Sequence, residues 1–80
     1  MQTYYGGIEI NPKILLGKPV FKGTRIPVYV VLDMLAEGIS IQQIMDAYPD
    51  LTEDDVKEAI RFASDTTRHI GEIVFETADR

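Results

Sequence analysis

The strongest constraint in this chain is a helix start that occurs twice. Ser40 is followed three residues later by Gln43, and Thr52 three residues later by Asp55, with the two starts twelve residues apart. A Ser or Thr hydroxyl at a helix start accepts a hydrogen bond from a backbone N–H of the first turn, and a side chain three residues on can return one to the cap. Ile39 and Leu51 precede the two caps and are spaced to pack on Ile44 and Val56. Pro49 stops the first of these helices, so the short turn from Tyr48 to Leu51 predicts a helix-turn-helix pair.

A further helix precedes the pair. Pro27 suits the first helical position, where its missing N–H would have had no partner. Val28, Val31, Leu32 and Leu35 recur at helical spacing, and Gly38 offers a left-handed end, which predicts a helix from Pro27 to Glu37. The last helix begins at Glu53 and is expected to bury Val56, Ala59, Ile60 and Ala63, with Phe62 at its flank. Its outer face pairs Glu53 with Lys57, Arg61 with Asp65 and Glu58 with Arg61, each pair contributing about 0.2–0.5 kcal/mol. Thr66-Thr67 and Gly71 are candidate stops for it.

Residues 1–26 read as short strands and turns. Tyr4, Tyr5, Ile8 and Ile10 are β-formers interrupted by Gly6-Gly7, and Asn11-Pro12 opens a turn. Val20-Phe21 and Thr24-Arg25-Ile26, separated by Lys22-Gly23, predict a tight hairpin whose glycine supplies a positive φ. The expected fold is mainly α: a trihelical helix-turn-helix core over residues 27–68, a short N-terminal β-hairpin in residues 1–26, and a tail over residues 69–80, all in one domain.

Composition narrows the function. The 80 residues contain no Cys and one His, His69, which removes disulfides, thiolate zinc sites and His-rich metal sites and suits a cytoplasmic chain. No charged leader followed by an apolar run opens the sequence, and the longest apolar stretch, Val28 to Leu32, is far short of a membrane span. The net charge of −5 is unevenly placed. Met1 to Leu32 carries four basic residues against Glu9 (+3), whereas Asp33 to Arg80 carries four against twelve acidic ones (−8). The first region can face phosphates and the second repels them.

The structural reading of residues 17–28 is a hairpin fixed by its glycines and prolines, with Arg25 anchored to a carboxylate such as Asp33 or Glu37; the functional alternative makes Lys18, Lys22 and Arg25 the candidate phosphate or DNA contacts. Glycines near Lys and Thr do not follow the G-x-x-x-x-G-K-[ST] order of a phosphate loop. Ser40 and Thr52 read as caps, and Asp50, Asp54 and Asp55 as first-turn residues explained by the helix dipole. No catalytic residue, cofactor or metal site is expected. The start of the last helix, where a base-reading helix would meet DNA, is acidic, which opposes phosphate approach. The apolar Ile70, Ile73, Val74 and Phe75 of the tail need a surface to cover, this domain's, a second copy's or a partner's, and with Arg68 they are the candidate contacts should a partner protein cover them.

The string Gly17-Lys18-Pro19-Val20-Phe21-Lys22-Gly23-Thr24-Arg25-Ile26-Pro27-Val28, then Gly38-Ile39-Ser40, then Tyr48-Pro49-Asp50-Leu51-Thr52 with Asp55-Val56 and Ala59-Ile60, resembles the domain-of-unknown-function 433 family over about Ile8 to Ala63. Members are similar to VapB-type antitoxins, with a homeodomain-like trihelical core behind a β segment. The resemblance implies an antitoxin that neutralises a PIN-like ribonuclease toxin by protein–protein binding and self-associates as a homodimer or higher oligomer. Tyr4, Tyr5 and Ile8 to Ile10 offer an edge for that second copy. The rival expectation is a helix-turn-helix DNA-binding autorepressor; a stand-alone structural adaptor is a third.

Overall fold

The computed structural model describes the backbone from Thr3 to Ala78 and the side chains from Gly6 to His69. Three short strands, β1 (Thr3–Tyr5), β2 (Ile8–Ile10) and β3 (Val20–Phe21), form an antiparallel sheet in the order β1-β2-β3. Three helices follow: α1 (Val28–Ala36), α2 (Ile41–Ala47) and α3 (Glu53–Ala78). The fold is mainly helical with an N-terminal hairpin, as expected.

The two-residue hairpin turn falls at Gly6-Gly7 and not at Lys22-Gly23. Tyr5 pairs with Ile8, so Gly6-Gly7 is the two-residue loop, and Gly6 holds φ +57°. β3 joins as a third strand, with Ile8 opposite Phe21 and Glu9 opposite Val20. The expected pairing of Val20-Phe21 with Thr24–Ile26 survives only as a Val20–Pro27 bridge and a bond from the Phe21 N–H to the Ile26 carbonyl (3.1 Å). Thr24 explains this: its hydroxyl donates to the Phe21 carbonyl (2.8 Å) and accepts from the Ile26 N–H (3.0 Å). Those two groups are the ones a continued ladder would have used.

Helix α1 starts one residue later than expected, because Pro27 stands outside it in an extended conformation (ψ 142°) as the cap residue. Its end follows the expectation. Gly38 lies at φ +86°, its N–H donates to Leu35 O (3.0 Å), and the Ile39 N–H donates to Met34 O (3.0 Å). This paired closure is a Schellman end, which a left-handed residue allows.

Both caps form. Ser40 Oγ accepts from the Gln43 N–H (3.1 Å) and Gln43 Oε1 from the Ser40 N–H (3.0 Å). Thr52 Oγ1 accepts from the Asp55 N–H (3.1 Å), and Asp55 Oδ2 from the Thr52 N–H (2.9 Å). Ile8, Phe21, Val28, Val31, Ile44, Leu51, Val56 and Ala59 make one buried cluster, so all three helices and the sheet share a core. Leu32, Leu35, Ile39, Tyr48 and Phe62 pack around it.

Ile60 departs from its expected burial: 45% of it is exposed. It lies about 100° round the helix from Ala59, and the inward line runs through Val56 and Ala59 instead. Neither Thr66-Thr67 nor Gly71 stops α3, which runs to Ala78. The Thr66 and Thr67 hydroxyls donate back to the Phe62 and Ala63 carbonyls (both 2.8 Å), which accommodates these residues within the helix.

Candidate functional site

Two surfaces carry most of the residues that the sequence singled out, and a third sets Lys18 among residues that it did not. The first is the exposed face of α3. Its first turn presents Glu53, Asp54 and Asp55, favourable at a helix N-terminus. Glu53 pairs with Lys57 (3.3 Å) and Glu58 with Arg61 (2.6 Å), as expected. Asp65 pairs with Arg68 (2.7 Å) rather than with Arg61, whose partner is Glu58. These are surface pairs, worth about 0.2–1 kcal/mol each.

Arg68 is exposed, and its guanidinium also donates to Ser64 Oγ (3.3 Å). A helix of 26 residues is about 39 Å long. On α3 the buried side chains end at Ala59, and Thr66 to His69 are exposed. The helix thus passes out of the core before its last turns. The side chains of Ile70, Ile73, Val74 and Phe75 lie outside the described residues.

The second surface is the basic turn after β3. Lys22 and Arg25 flank it, both exposed, and the Lys22 N–H donates to the Gly7 carbonyl (2.8 Å), tying the turn to the β1–β2 loop. Arg25 forms no ion pair with Asp33 or Glu37 among the described residues, which corrects the anchoring expectation. Lys18 stands at the other end of β3, separated from Lys22 by roughly 13 Å of extended chain. The three cations therefore divide into a pair and a single residue.

The third surface was not foreseen. Asn11 Oδ1 accepts from the Lys13 N–H (2.9 Å) and the Asn11 carbonyl from the Ile14 N–H (2.8 Å), starting a turn that continues as one 3-10 turn over Leu15–Gly17. Within it Leu15 and Leu16 both take positive φ, +49° and +58°. Leu16 is 94% exposed. Leu15, Leu16, Lys18, Pro27 and Tyr29 line an open depression of about 240 Å³, and Lys18 Nζ lies 5.3 Å from the centre of the Tyr29 ring. The available signal was two leucines shut between Asn11-Pro12 and Gly17-Lys18-Pro19, too short a run for a strand that could bury both.

No group of His, Asp or Glu among the described residues could hold a metal ion. Among the same residues no helix is long and apolar enough to cross a membrane.

The family described as Protein of unknown function (DUF433) matches residues 8–63. The chain belongs to that family. The match runs from the first residue of β2 to Ala63 within α3, and α3 beyond Ala63 lies outside it. Over 56 residues, 70% of the chain, it is 40% identical to "Uncharacterized protein y4eO" of Sinorhizobium fredii (strain NBRC 101917 / NGR234). The match covers 25% of that relative, so this chain spans about a quarter of it. A crystal structure of a DUF433 member protein from Anabaena variabilis superposes with a TM-score of 0.72 at 25% identity, over 85% of this chain and 67% of that one.

Proposed function

We propose that this DUF433 protein is the antitoxin-like component of a toxin–antitoxin module and neutralises a PIN-like ribonuclease by protein–protein binding. The observation that carries the reading is α3. It is long, it leaves the core after about Phe62, and it belongs to the half of the chain with a balance of −8. A nuclease path that attracts RNA is electropositive, and an acidic helix projecting from a small core is complementary to it. Arg68 together with Ile70, Ile73, Val74 and Phe75 supplies the contact, with Arg68 drawn from Asp65 toward carboxylates of the nuclease. The edge strand β1 receives a second copy, giving a homodimer in the cytoplasm.

The test is co-expression with the PIN-like ribonuclease encoded beside it. Co-purification and loss of RNA cleavage support the reading, and a chain ending at Ile70 should lose the helical signal of α3's last turns, keep a cooperative melt of the core, and no longer inhibit. Full inhibition by that shortened chain overturns it.

The order of helix α2, a short turn and helix α3 favours a second reading, a homeodomain-like DNA-binding autorepressor with Lys18, Lys22 and Arg25 on phosphate. The acidic first turn of α3 argues against that one. A steep fall of DNA affinity with salt would favour it over the first.

A further inference from the structure

The antitoxin reading uses α3 and leaves the Leu15–Leu16 turn without a role. We propose that this turn, with Lys18, Pro27 and Tyr29, docks a short segment of a partner protein that carries an apolar side chain beside carboxylates.

Exposure gives the first part of the argument. Leu16 is 94% exposed and Tyr29 49%, and they stand at the same depression. Single exposed apolar residues are ordinary, but here two leucines, a proline and a tyrosine converge on one concave surface. Its volume of about 240 Å³ leaves room for one or two aliphatic side chains.

Conformation gives the second. A leucine at positive φ is uncommon, and two in succession more so. The turn is held by hydrogen bonds from Gly17 N–H to Ile14 O (3.0 Å) and Lys18 N–H to Leu15 O (3.2 Å). The outward direction of Leu16 is therefore fixed by the backbone before any partner arrives, which lowers the ordering cost of binding.

Charge selects the occupant. Lys18 borders the depression, Lys13 is exposed in the same loop, and this N-terminal region carries the chain's basic excess of +3. A carboxylate next to the docked side chain meets Lys18 directly, while the Tyr29 ring holds the ammonium over the apolar floor. A phosphate backbone would find cations but no use for two exposed leucines. A second copy could offer its acidic α3, but a basic turn meeting an acidic helix is a head-to-tail contact, which propagates unless the rotation closes.

The test selects a random-peptide display library on the immobilised full-length chain. Enriched peptides should place Leu, Ile or Phe next to Asp or Glu. One such peptide, synthesised with a fluorophore and followed by anisotropy, should bind Leu16→Ser and Lys18→Glu at least tenfold more weakly, and Glu53→Gln as well as the parent. Leu16→Gly, which keeps the turn's backbone and removes the side chain, should show the same tenfold loss with an unchanged circular dichroism spectrum. Absence of enrichment, enrichment of basic peptides, or undiminished binding to Leu16→Gly overturns the proposal. So does a shift of the unliganded protein to smaller mass on Leu16→Ser, which would assign the surface to a second copy. Tighter binding of a labelled single-stranded oligonucleotide than of any selected peptide overturns it in favour of nucleic acid. None of these outcomes depends on ribonuclease inhibition.

Discussion

The carboxylate of Glu58, on α3, occupies the place where a side chain on Gly6 would stand. Gly7 lies beside the same side chain and beside Asp55, so the β1–β2 loop rests directly on α3. Gly6→Ala should therefore cost about 1–2 kcal/mol, from the left-handed φ and from displacement of Glu58. Gly23 is also at positive φ (+82°) but faces open space, so Gly23→Ala should lose only the backbone part, about 1 kcal/mol. Urea unfolding of Gly6→Ala in the Glu58→Ala background checks this: crowding should vanish there and the backbone cost remain.

The caps are separable from the core. Ser40→Ala and Thr52→Ala should each destabilise by about 1 kcal/mol, with a melting point lower by about 4–8 °C for a domain of this size. Calorimetry of the two variants measures it, and a negligible shift for either would mean that its helix start is held by packing alone.

Leu16→Gly should raise stability by about 0.5–1 kcal/mol, because glycine takes φ +58° without the penalty that a Cβ brings. The side chain it removes is almost wholly exposed, so little burial is lost. Chemical denaturation of the variant beside the parent protein decides the sign.

Ile44 and Ile60 differ in consequence although both occupy helix positions that read as apolar. Ile44→Ala should cost about 2–5 kcal/mol, since it empties a site with no solvent exposure. Ile60→Ala should cost under about 1 kcal/mol. Equal losses in urea unfolding would place Ile60 in a contact that this isolated chain does not show.

Much of this was legible before the structure. Hydroxyl caps, Gly38 and Pro49 are local devices whose geometry is satisfied within a few residues, and the three helices start or stop where those devices stand. The extent of family resemblance, Ile8 to Ala63, agrees with the matched residues 8–63. Lys18, Lys22 and Arg25 were found as basic residues, and their division between the two ends of Val20-Phe21 follows from chain order; what the sequence left open was the strand that β3 pairs with.

What the sequence determined by itself was therefore everything closed by short-range bonds: the two capped helices, the left-handed end of α1 and the uneven charge. The tertiary structure decided the rest. Val20-Phe21 paired with β2 because Ile8 and Phe21 then bury together, at the expense of the local hairpin around Lys22-Gly23. Ile60 turned outward because a small core covers only one line of α3. Leu15 and Leu16 were left in the open because the breakers on either side fix their backbone first. Long-range burial chooses among strand partners and faces that local propensity leaves nearly equal, and it is written in contacts between residues far apart in the chain.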